Sequence, residues 1–131
     1  MQRQAINPWG WSLPLGYHQG EVVTGARRQL TCAGQTAVDA AGVPQFLGDM
    51  RGQVGLALDN MAAVLTQAGM GLADVTGITV YATDVDAALQ NFDLLGMRFG
   101  PLGAAPPMTL IGVTRLAVPG MMIEITVTAA D

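Results

Sequence analysis

The sequence has no lysine, one cysteine and one histidine, and charged residues make up only 12% of its 131 positions. Each shortage excludes something. Without lysine, and with six arginines scattered along the chain, no basic run exists to neutralise a row of phosphates. The net charge of −4 and the isoelectric point near 4.6 oppose such binding further. Nucleic acids and anionic membrane surfaces are therefore not expected partners. A lone cysteine, Cys32, cannot close an intramolecular disulfide, and Cys32 with His18 cannot supply a Cys/His zinc set. No apolar run approaches the ~18 residues of a membrane span. The opening residues 1–9 carry no apolar signal core, so a cytoplasmic location is the expectation.

What is present is apolar. Half of the residues are hydrophobic, while the charged fraction is about half the ~25% typical of soluble domains. A chain of this length has a large surface to cover. So few charges point to part of that surface being buried against other copies, the alternative being an unusually apolar monomer. The length suits one domain, spanning 1–131.

Residues 1–16 are rich in glycine, proline and tryptophan and read as an irregular segment. Short strands are expected at 21–24, 29–34 and 36–38. The clearest helix is 49–68, where Val54, Leu58, Met61, Leu65 and Ala68 recur at helical spacing. Asp49 suits its N-cap and Gly69 a left-handed stop. A strand at 75–82 follows, then a helix over 85–98 capped by Thr83 and Asp84, then strands at 108–116 and 121–129. The order βββ-α-β-α-ββ is that of an α+β domain, with two helices covering one face of the sheet. Along the last strand Met121, Ile123, Ile125 and Val127 point one way, towards the helices. Met122, Glu124, Thr126 and Thr128 point the other way, towards a mixed surface.

Glu124 stands out. Glutamate is depleted in strands and costly to bury without a partner, so between two isoleucines it faces either solvent or a site. Three segments around it carry a resemblance. They are Gly16-Tyr17-His18-Gln19-Gly20, Thr31-Cys32-Ala33-Gly34-Gln35, and the closing strand pair with Ile123-Glu124-Ile125. With Leu58-Asp59-Asn60 on the long helix, their order and spacing resemble the Rid family (YjgF-like, reactive intermediate deaminases) from about Tyr17 to Ala129. Gly16 stands where that family usually has proline, and Ala33 where it usually has serine.

The resemblance implies a chorismate-mutase-like fold and a homotrimer with small-molecule clefts between subunits. It also implies hydrolysis of imines or enamines with no metal or organic cofactor. Within it, Glu124 matches the glutamate that positions or activates water, and Tyr17 a cleft tyrosine. Ala33 and Gly34 match the cleft-edge backbone, and Leu110 a side-chain position on the strand of Met108. Met108 falls where deaminating members carry the arginine that clamps a substrate carboxylate. A thioether offers no cationic contact, so methionine there suits a less anionic, more apolar ligand. Arg27, Arg28, Arg51 or Arg98 remain candidates to bring charge from elsewhere. Arg115 has the wrong strand parity for the cleft and reads as a structural partner of an acidic residue. Tyr17 and Glu124 each also fit a structural role, Cys32 reads as a small core residue, His18 as a rim residue, and Trp9 and Trp11 as packing. Two functions stay open. One is a Rid-like enzyme acting on a reactive imine, enamine or carbonyl compound with an apolar body. The other is a trimer that binds a small molecule without turning it over.

Overall fold

A computed structural model describes all residues from Met1 to Asp131. Six strands form two sheets. β1 (Gln2–Ile6) and β2 (Gly20–Thr24) make an antiparallel hairpin. β3 (Gln29–Thr31), β4 (Val75–Ala82), β5 (Met108–Gly112) and β6 (Ile123–Ala130) form a sheet of order β3-β6-β4-β5, in which β4 and β5 are parallel. The long helix α1 (Met50–Gln67) and the short helices α2 (Val85–Leu89) and α3 (Asp93–Phe99) supply the other layer. No helix is long and apolar enough to cross a membrane.

α1 forms as its sequence expects. The Asp49 side chain accepts from the Gly52 N–H at 3.0 Å, and Gly69 adopts a left-handed φ of 73° where the helix stops. Val54, Leu58, Met61 and Leu65 are wholly buried against Ile123, Ile125 and Val127 of β6 and Val80 of β4 in one core cluster. Burying each large aliphatic side chain stabilises the fold by about 1.5–3 kcal/mol. The closing strand therefore alternates as expected from Ile123 to Thr128, with Ile123, Ile125 and Val127 under the helices and Glu124, Thr126 and Thr128 on the open face.

Three expectations are corrected. Residues 1–16 are not wholly irregular, because Gln2–Ile6 is a strand. What fixes it is Arg3, which pairs with the buried Glu21 carboxylate at 2.9 Å and donates to the carbonyls of Ala73 and Val75. No strand forms at 36–38. That segment makes isolated pairings, Gln35 with Ile125 and Val38 with Pro44, and is tied to α1 by Asn60, whose amide donates to the carbonyls of Thr36 and Val38, each at 2.9 Å. The second helix breaks between Leu89 and Asp93. Asn91 turns its side-chain amide back onto the Ala87 carbonyl at 2.8 Å, a local bond that competes with helix continuation. The break sets Phe92 against the sheet.

Candidate functional site

The sheet register sorts the candidate residues onto two faces. Met108 lies beside Ile78 and Leu110 beside Val80. These strand positions pack against the helix-side core. Glu124 lies beside Tyr81, which lies beside Ile111, in a row on the opposite face. A second open-face row is Thr126, Thr79 and Thr109. Side chains alternate along a strand, so Met108 and Glu124 of one chain cannot address the same small molecule.

On the helix side, Leu15, Tyr17, Leu89, Phe92, Met108 and Leu110 line an open cleft of about 340 Å³. Every lining residue is hydrophobic, and the only polar group among these side chains is the Tyr17 hydroxyl. Tyr17 is fixed from both sides. The edge of one ring meets the face of the other between Trp11 and Tyr17, with centroids 6.2 Å apart. The next residue, His18, donates its backbone N–H to the Ala105 carbonyl at 2.9 Å. Asn7 holds this stretch by bonding the His18 ring at 2.9 Å and accepting from the Gln19 N–H at 2.9 Å.

On the open face, the segment from Cys32 to Thr36 runs over Glu124. The N–H groups of Cys32 and Gln35 donate to the carbonyls of Val127 and Ile125. The Thr126 hydroxyl donates to the Cys32 carbonyl and the Thr36 hydroxyl to the Ile123 carbonyl, each at 2.6 Å. Between these ties Ala33 and Gly34 arch away, leaving their N–H groups out of the ladder. A Cβ on Gly34 would stand 2.6 Å from the Glu124 Cδ, so glycine there lets the carboxylate lie close under the backbone. Most acidic side chains have an arginine or a backbone N–H as partner within the chain. Only exposed Asp86 and half-buried Glu124 do not. A half-buried carboxylate with no partner in its own chain, close under the Gly34 backbone and paired across the sheet with Tyr81, can hold a water molecule and take its proton.

The other sequence candidates fall outside both places. Trp9 is 62% exposed. Trp11 touches Tyr17 without lining the cleft. Arg98 pairs with Asp59 at 2.5 Å, Arg51 with Asp93 at 2.9 Å, and Arg28 with Asp131. Arg27 shares a surface hollow with Arg28 and Asp131. None of them reaches Met108. Arg115 is exposed and, contrary to expectation, has no acidic partner in the chain, because β5 ends at Gly112 and releases the segment beyond it. Cys32 is buried and its thiol is pushed up in pKa by that burial, which keeps it neutral and inert. No three His, Cys, Asp or Glu side chains cluster as a metal site. The sequence reading missed Tyr81, Leu15, Leu89 and Phe92. Alternation in β4 signals Tyr81, which shares parity with Thr79, whereas Phe92 is placed by a helix break that periodicity does not show.

The fold and the two faces define a class: an α+β, chorismate-mutase-like domain whose helices cover one face of the sheet and whose other face is open. Residues 15–131 match the family described as Endoribonuclease L-PSP, and the chain belongs to that family, the Rid/YjgF proteins. Among curated relatives, the RutC family protein YjgH of Escherichia coli is 30% identical over 98% of this chain and 95% of its own length. Protein DfrA of Myxococcus xanthus is 26% identical over 100% and 98%. Among solved structures, the Rid-family protein YyfB of Yersinia pestis superposes with a TM-score of 0.85 at 31% identity, covering 100% of both chains. TdcF of E. coli, solved with bound serine, gives a TM-score of 0.70 at 26% identity, covering 97% of this chain and 93% of its own.

Proposed function

We propose that this chain forms a cytoplasmic homotrimer whose intersubunit clefts process a reactive imine, enamine or related carbonyl compound with an apolar body, without a cofactor. The observation that carries the reading is the placement of Glu124. It is half-buried, lacks a partner within its own chain, and lies on the face opposite the apolar cleft. A complete site then takes Tyr17, Met108 and Leu110 from one copy and Glu124 from the next. The open sheet face supports such an arrangement, since Ile111 there is 40% exposed with no helix above it. So do Trp11 at 59% and Leu15 at 67% exposed beside the cleft, because contiguous apolar surface marks contact sites.

In this site Glu124 serves as general base through water. Tyr17 donates a hydrogen bond to the substrate heteroatom, and the free N–H groups of Ala33 and Gly34 stabilise developing negative charge. Met108 and Leu110 form an apolar wall for the substrate body. The serine bound by TdcF supports a small amino- or imino-acid-like ligand in this fold. Met108, with no cation near it, directs this chain towards a less anionic one. The same lack of a clamp favours the second reading, a trimer that binds such a molecule without turning it over.

Two measurements test the proposal. Light scattering coupled to size exclusion should give the mass of three chains; one or two chains would remove the intersubunit site. Hydrolysis of freshly generated imines of the alanine, leucine and phenylalanine amides, which carry no carboxylate, should be accelerated, with the larger members preferred. Glu124→Gln should then lose about 100-fold or more in rate, as removal of a general base does. Acceleration that survives Glu124→Gln rejects the catalytic glutamate, and ligand binding without any hydrolysis supports the second reading.

A further inference from the structure

Behind Met108 lies a second chamber. It occupies about 210 Å³ between α3 and the sheet, and shares Leu15, Phe92 and Met108 with the open cleft. Its deeper walls are Ile78, Leu95 and Phe99, its rim the backbone of 103–106. No charged side chain lines either space. Two glycines, Gly96 and Gly100, stand on its helix wall. Gly96 is inside α3, where glycine is a poor helix former. Nothing in the chain explains it by packing. A Cβ at Gly96 or Gly100 would meet no atom within 4 Å, and neither residue has a left-handed backbone. Both glycines are exposed, so the space they leave lies at the open side of the chamber.

We infer that this chamber is the subsite for the side chain of the ligand, and that it takes an uncharged ring or branched alkyl group passing over Met108. The inference rests on the functional reading above and names its substrate class. An apolar cavity of about 150 Å³ is large enough to hold benzene, so this chamber admits a six-membered ring with a short attachment. Its apolar walls reject a charged or strongly polar tail, which would be desolvated without a partner. Met108 is the common wall. Its unbranched, polarisable side chain adapts to a group on either side.

The test uses the full-length protein and indole as probe, with the methionine methyl groups labelled with carbon-13 and the Met108 signal assigned from Met108→Leu. Indole should shift the Met108 methyl saturably. Gly96→Leu, which puts a branched side chain on the wall of the chamber, should weaken indole binding at least tenfold at unchanged oligomeric mass. Gly96→Ala should weaken it two- to threefold while raising the melting temperature. This opposite movement of stability and binding is what a purely structural glycine would not show. Indole binding that is absent, or equally tight in Gly96→Leu, overturns the subsite. A Gly96→Ala variant that binds indole as tightly as the native chain also counts against it. Because the readout is binding, it stands apart from catalysis. If no imine is hydrolysed but indole binding responds to Gly96 as described, the enzyme reading fails and the chamber remains.

Discussion

Gly34 lies so close above Glu124 that a side chain at position 34 would meet the carboxylate at 2.6 Å. The arch carrying Gly34 is anchored before it by Cys32, through the Val127 carbonyl and the Thr126 hydroxyl, and after it by Gln35 and Thr36. It cannot lift without breaking those bonds. Gly34→Ala should therefore push the unpartnered Glu124 side chain aside, lowering imine hydrolysis with little change in stability. Turnover and chemical denaturation measured on the same variant check this. A variant as active as the native chain would show that the arch gives way instead of the carboxylate.

Gln53 is a buried polar residue that ties the edge of the site to α1. Its amide donates to the carbonyls of Phe46 and Gly120, each at 3.1 Å, and its oxygen accepts from the Met122 N–H at 2.7 Å. Met122 leads directly into the strand of Glu124. Gln53→Leu would strand these backbone groups, at about 1–3 kcal/mol for each buried group left unpaired. A loss of about 3 kcal/mol in urea unfolding is expected, with faster hydrogen exchange at Met122. A loss below 1 kcal/mol would mean that water replaces the amide.

The long helix and α3 are joined by Arg51 and Asp93. The Arg51 guanidinium, through hydrogen bonding, holds the Asp93 carboxyl below its ordinary range. A carboxyl with a lowered pKa in the folded state adds stability above the unfolded pKa, and that stability is lost as the pH falls through the folded value. Both side chains are about half exposed, so solvent and salt weaken the effect. Asp93→Asn should lower the melting temperature slightly at pH 7 and not at all at pH 2. An equal deficit at both pH values would assign the effect to packing.

Met108→Arg should bring a guanidinium to the wall of an apolar cleft. Two charge-assisted hydrogen bonds can hold a carboxylate there. More than a tenfold gain in kcat/KM for 2-aminoacrylate is expected, at a cost in affinity for indole. The gain should vanish in the double variant with Glu124→Gln. No gain would mean that the charge is left desolvated in the cleft.

Much of the fold was legible because its signals are local. The stripe from Val54 to Leu65, the cap at Asp49, the stop at Gly69 and the alternation around Glu124 each depend on residues a few positions apart. What was not legible depends on distant partners. β1 exists because Arg3 finds Glu21 and the carbonyls at the start of β4, some 70 residues on. Residues 36–38 follow Asn60 instead of a ladder. The candidate site divides the same way. Glu124, Tyr17 and Met108 could be named from motif and parity, but parity alone did not show that Met108 and Glu124 sit on opposite faces. That relation needs the register across β4. The chamber behind Met108 needs the break at Phe92, which only packing reveals.

The proposed site takes its apolar wall from one chain and its base from another, and subunit mixing tests this most directly. Met108→Trp should fill the cleft and Glu124→Gln should remove the base, so each variant alone should be inactive towards the phenylalanine-derived imine. Unfolding the two together and refolding them as a one-to-one mixture should restore activity. In a ring of three, each site draws on two neighbouring chains, so roughly one quarter of the sites should combine the two intact halves. Recovery of about a quarter of the native rate is expected on that basis. A mixture as inactive as its two components would place Met108 and Glu124 in the same chain's site, or in no common site, and contradict it.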